Sequence, residues 1–157
     1  EDVSRLRSVY DALYLSDPMK NVTEYPGLLP VLQRLKKEGI LLAVLSNKPD
    51  DAACAVVRGL FPADLFNVYH GQREGIPRKP APDGALLIAK KLGVAPSDCL
   101  YIGDSGVDMD TGRNAGMRTV GVAWGFRGQA ELREHDACFI AQKPEDLLTF
   151  AGVEGDK

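Results

Sequence analysis

Leu100-Tyr101-Ile102-Gly103-Asp104-Ser105-Gly106-Val107-Asp108 says more about the architecture than any other segment of the chain. A short apolar run stops at an acidic, glycine-rich turn. An α/β protein places its site there, beyond the carboxyl end of a buried strand. Asp104 and Asp108 stand four residues apart. That spacing lets both carboxylates face one point if Asp108 starts a helix. Two such oxygen donors suit a hard cation such as Mg²⁺. Turn chemistry with a helix cap explains the same residues locally, since Asp and Gly dominate turns.

Working outward, helical and apolar segments alternate. Pro26 opens a helix with Leu28, Val31, Leu32 and Leu35 inward, and Gly39 closes it. Residues 40–45 form a continuous apolar run, the pattern of a strand buried on both faces. A helix follows with Ala53, Val56, Val57 and Leu60 inward, then a short strand at 66–69. After a polar loop at 71–82, Asp83 caps a third helix that ends at Gly93. The remaining expectations are strands at 99–102, 119–123 and 139–140, a helix at 108–115, and a helical turn at 145–150. This alternation predicts an α/β fold, a Rossmann-like mostly parallel sheet with flanking helices.

Two further polar clusters accompany the acidic turn. Ser46-Asn47-Lys48 follows the run at 40–45, where a hydroxyl and free backbone amides suit an anion; an ordinary N-cap is the local alternative. Arg78-Lys79-Pro80-Ala81-Pro82-Asp83 holds Lys79 in a proline-stiffened loop, where a fixed ammonium suits a phosphate or a carboxylate; a solvated lysine is the alternative.

Composition narrows the field. At 157 residues the chain can bury a real core, and 45% apolar content argues for a globular fold. The net charge of -3, without a basic block, gives no sign of a nucleic-acid partner. No apolar stretch approaches the roughly 20 residues that span a bilayer. Cys54, Cys99 and Cys138 are odd in number and far apart, so they read as reduced thiols packed in the core of a cytoplasmic protein.

With these residues in view, the chain resembles the haloacid-dehalogenase-like (HAD) superfamily, in its phosphoglycolate phosphatase-like subgroup. The wording Tyr25-Pro26-Gly27, Lys79-Pro80-Ala81-Pro82, Gly103-Asp104-Ser105, Gly112-Arg113-Asn114-Ala115-Gly116-Met117 and Val122-Ala123-Trp124-Gly125 carries the subgroup likeness. The resemblance implies a Mg²⁺-dependent phosphomonoester hydrolase working through an aspartyl-phosphate. Ser46, Lys79 and Asp104 would be catalytic. Ser46, Asn47 and Lys79 would bind phosphate, and Asp104 and Asp108 would hold Mg²⁺. Ser105 is a secondary candidate. Arg127 reads as a surface arginine that could reach the site. His70 and His135 fit no motif.

One departure is large. The family's first motif, Asp-x-Asp-Gly-Thr or -Val, supplies the attacking aspartate and the general acid-base, and it is absent from these 157 residues. The resemblance makes 1–22 the remnant of a helical cap and 23–157 the α/β core, with the central nucleophile strand missing. The chain is then expected to be catalytically incomplete. Its exposed edges would close by a new pairing, or be filled by self-association or by a bound N-terminal fragment. A small phosphorylated metabolite is the expected partner, with neither nucleic acid nor membrane. The alternatives are a non-catalytic phosphate- or metal-binding pseudo-enzyme or, within the superfamily, a pyrophosphatase, nucleotidase or phosphosugar mutase.

Overall fold

The computed structural model describes residues 24–125 and 127–155. The expected cap remnant at 1–22 lies outside the described residues. Helix α1 (Leu28–Lys37) buries Val31 and Leu35, the inward stripe read from its spacing. Strand β1 (Ala43–Pro49) leads into α2 (Asp50–Leu60) and then β2 (Val68–Gln72). Next come α3 (Asp83–Leu92), β3 (Leu100–Gly103), α4 (Gly106–Asn114) and β4 (Arg118–Val122). The chain finishes with α5 (Gly128–Glu134), β5 (Phe139–Ala141) and α6 (Asp146–Phe150). Helix α5 was not foreseen; of its seven residues only Leu132 is buried, so it carries no apolar stripe.

All pairing is parallel, with a helix crossing between each adjacent pair of strands, as expected of βαβ units. β1 pairs with β2, and β3-β4-β5 form a second sheet. A single core nonetheless joins the two halves: Val31, Leu35, Leu42 and Leu65 pack with Val120, Val122, Ala141 and Leu147. Each buried Val or Leu side chain among them contributes roughly 1.5–3 kcal/mol on burial. Among the described residues no helix is long and apolar enough to cross a membrane.

The apolar run at 40–45 does not behave as a strand covered on both faces. Leu42 is buried, but Leu41 is 44% exposed, and β1 itself has no fully buried residue. β3 is alike, with Ile102 41% exposed. β4, which has strands on both sides, buries four of its five residues. The difference is lateral. Among the described residues, β1 and β3 each have one edge without a partner, and they do not pair with each other. Closure of the gap by a new pairing is therefore not what these residues do.

The strand also starts later than expected and runs further, through Ser46, Asn47 and Lys48 to Pro49. Its register to β2 slips between Leu45 and Pro49, so the polar residues lie where the ladder is broken. The cysteines differ from expectation too. None belongs to the buried core, and Cys138 is exposed.

Candidate functional site

The register of β1 to β2 shifts across Ser46 to Lys48. The hydroxyl of Ser46 accepts from the Lys48 amide at 3.1 Å, which leaves its own proton to donate elsewhere. The N-cap explanation for these residues fails. Helix α2 begins at Asp50, its N-cap position is Pro49, and no side chain caps it.

The side-chain amide of Asn47 clamps the backbone of Lys79. Its Oδ1 accepts from the Lys79 amide at 3.0 Å, and its Nδ2 donates to the Lys79 carbonyl at 3.3 Å. This two-point clamp holds the Lys79 backbone against the end of β1, 32 residues away in sequence. The loop is tied again at its start. Asp50 accepts from the Gly71 amide at 2.8 Å and pairs with Arg73 at 3.0 Å. Burial alone would raise the Asp50 carboxyl; these two partners outweigh it and hold its pKa below the ordinary carboxylate value. Ser46, Asn47 and Lys79 also line one small cavity of about 10 Å³, room for a single water. A wider cleft of about 490 Å³ opens beside it, lined by Pro49 and the loop from Gln72 to Arg78.

From that loop Lys79 reaches across to the acidic turn. Its Nζ lies 2.6 Å from Asp108 Oδ1, with side chains 15% and 12% exposed. Asp108 is not the start of α4, as the spacing suggested. It is the third residue of a helix that begins at Gly106 behind an N-cap at Ser105. Ser105 Oγ accepts from the Asp108 amide at 3.2 Å, and Asp108 Oδ2 accepts the Ser105 hydroxyl at 3.0 Å and the Asp104 amide at 3.2 Å. The helix-cap reading is thus correct for one oxygen of Asp108, while the other takes the lysine. Beneath, burial first and the Asp108 charge second push the Tyr101 phenol above its usual pKa.

Asp104 stands apart. None of the described residues donates a hydrogen bond to its carboxylate. Gly125 backs it so closely that a Cβ there would lie 2.3 Å from the Asp104 Cβ. The fit to a cation follows from this accounting. Asp108 has both oxygens engaged, whereas Asp104 offers an open carboxylate. Mg²⁺ takes one or two carboxylates and fills its remaining positions with water and phosphate oxygens, so the donor set suits it. No cluster of three or more His, Cys, Asp or Glu placed to hold a metal ion occurs among the described residues.

The other candidates fall outside this group. Arg127 is exposed at the N-cap of α5. His70 is buried, and its Nε2 meets Lys91 Nζ at 3.0 Å. Burial, with the Arg73 and Lys91 charges, holds its pKa below the ordinary value. His135 faces Asp110 at 3.0 Å, and its ring lies flush on Gly106, where a Cβ would come within 2.4 Å of it. Sequence reading missed Glu131 altogether; its Oε1 accepts from the Gly106 amide at 2.8 Å.

Comparison with known proteins gives this geometry a setting. The family model for haloacid dehalogenase-like hydrolases matches residues 6–116. Phosphoglycolate phosphatase from Escherichia coli is 32% identical over 155 residues, covering 98% of this chain and 61% of that protein. A pyrophosphatase from Bacillus velezensis is 29% identical over 154 residues, covering 98% of this chain and 71% of the relative. A crystal structure from Lactobacillus delbrueckii, described as a candidate phosphoglycolate phosphatase, is 38% identical with a TM-score of 0.88. The match covers 96% of this chain and 62% of that one. The chain therefore spans about 61% of the length of the phosphoglycolate phosphatases it matches.

Proposed function

The chain belongs to the haloacid dehalogenase-like hydrolases, and from that premise we propose that the complete protein is a Mg²⁺-dependent phosphomonoester hydrolase acting on phosphoglycolate or a similarly small phosphate. One observation carries the reading. Residues from three separate segments join in a continuous contact chain, from Ser46 and Asn47 through Lys79 and Asp108 to Asp104.

Each residue then has a task. Ser46 donates its free hydroxyl proton to an equatorial phosphoryl oxygen. Lys79, fixed by Asn47 and charge-balanced by Asp108, neutralises phosphate charge. Asp104 holds Mg²⁺, which when bound would withdraw charge from the phosphoryl group. Asp108 keeps the lysine in place and closes the turn. All of these groups are set before substrate arrives, so the site acts by electrostatic preorganisation around an in-line displacement.

The family resemblance assigns the attack on phosphorus to an aspartate. The ester P–O bond breaks, the alcohol leaves, and water then hydrolyses the acyl phosphate. No Asp-x-Asp-Gly stretch occurs in the 157 residues. The open edges of β1 and β3 are where an extended segment carrying it would pair, with its carboxyl end among Ser46, Lys79 and Asp104. That segment would come from the rest of the complete protein or from a bound N-terminal fragment.

The test is phosphate release by the complete protein from phosphoglycolate, pyrophosphate, a nucleoside monophosphate and a hexose phosphate, with Mg²⁺ and with EDTA. Release is expected only with Mg²⁺ and fastest from phosphoglycolate. Absence of release from every compound, at any Mg²⁺ concentration, would sink the reading.

A further inference from the structure

We propose that Glu131 is a positioning residue for the acidic turn, holding Asp104 and Asp108 in register from outside their own segment. The inference rests on the phosphatase reading only for its catalytic consequence; the geometry is independent of it. The first amides of a helix have no partner within the helix. In α4 the Asp108 amide is taken by Ser105 and the Met109 amide by the Ser105 carbonyl. The Gly106 amide is taken by Glu131, 25 residues further along the chain. This bond ties the turn to a different part of the core.

The tie is rigid at its far end. Leu132, next to Glu131, is fully buried, and a Cβ on Gly121 would lie 2.7 Å from it. His135, one helical turn on, lies so close to Gly106 that no side chain fits between them. Helix α5 therefore sits directly against the start of α4, with a carboxylate aimed at its N-terminal amide. A negative charge there is favourable to the helix dipole. It also fixes Gly106, which with Val107 links the Asp104-Ser105 pair to Asp108. The Asp104 carboxylate accepts no hydrogen bond among the described residues, so its direction depends on how firmly this turn is held.

Three substitutions in the complete protein separate positioning from simple packing. Glu131→Met keeps the length of the side chain and removes the acceptor. Glu131→Gln keeps an acceptor without the charge. Glu131→Asp keeps the charge but is too short to reach, and it serves if the methionine variant does not fold. Amide hydrogen exchange is read at Gly106 and across 104–108, and Mg²⁺ affinity by titration calorimetry. For Glu131→Met, and likewise Glu131→Asp, exchange at the turn should rise about tenfold, as for loss of one hydrogen bond to a charged acceptor. Exchange in α1 and β4 should not change. Mg²⁺ affinity should fall about tenfold, typical for loss of an outer partner of a metal ligand. Glu131→Gln should restore most of the protection. Unchanged exchange at the turn, or a glutamine variant no better than the methionine one, would overturn the proposal. Failure of the unaltered protein to bind Mg²⁺, with the exchange effects intact, would refute the metal reading and leave the positioning role standing.

Discussion

Asp104→Asn in the complete protein is expected to lower Mg²⁺-dependent turnover by at least about 10²–10³-fold, the loss typical of removing one preorganised electrostatic contact in a phosphoryl- or acyl-transfer site. Its stability should scarcely move. None of the described residues donates to the Asp104 carboxylate, so removing its charge breaks no hydrogen bond among them. Asp108→Asn is the contrasting variant. It weakens a nearly buried ion pair to Lys79 and leaves that ammonium without its counter-charge. Loss of one partner of such a pair costs about 3–5 kcal/mol when the other stays charged and enclosed. The two neighbouring aspartates should therefore separate cleanly in paired measurements of kcat and Tm. Asp104 acts on activity alone, and Asp108 acts on activity and stability together. Unchanged turnover in Asp104→Asn would refute its metal role.

Gly103→Ala should be strongly destabilising. Gly103 ends β3, and a Cβ there would lie 2.2 Å from the Asp108 Cβ and 2.5 Å from its Oδ2. Asp108 cannot swing aside cheaply. It is held by Lys79 on one oxygen and by Asp104 and Ser105 on the other. Relief requires either breaking those bonds or separating β3 from α4. Overpacking of this kind costs about 1–3 kcal/mol, and the bonds at stake place this case at the upper end. Urea unfolding measures it directly. A stability within about 0.5 kcal/mol of the parent, the range of ordinary surface substitutions, would show that the turn is looser than its contacts imply.

Much of this site was legible in the chain because strand ends and turn residues announce themselves. The apolar run into Gly103-Asp104, the inward Val31 and Leu35 of α1, and the Pro-stiffened loop at Lys79 stand where their residue types put them, whereas α3 buries Ala85, Ile88 and Ala89 and leaves Leu86 39% exposed. Hydrophobicity failed at β1 for a physical reason. The strand's last residues are polar because they face the site, so the apolar run marks its approach and not its end. The role of Asn47 was hidden because its partner is the backbone of a residue 32 positions away. Helix α5 was hidden because it rests on one buried leucine, and its carboxylate meets a glycine amide that leaves no mark on a sequence pattern. Pairing is also invisible to composition. The family resemblance, not composition, implied open strand edges, and β1 and β3 each have an edge lacking a partner among the described residues.

In the proposed function these residues form the receiving half of a phosphoryl-transfer site whose attacking carboxylate lies outside the 157 residues. Phosphate release from phosphoglycolate, measured with Mg²⁺ for the homogeneous 157-residue chain beside the complete protein, tests it most directly. The complete protein should turn over and the 157-residue chain should not. Mg²⁺-dependent turnover by the 157-residue chain alone would contradict the account, because a nucleophile would then have to exist among the residues already present.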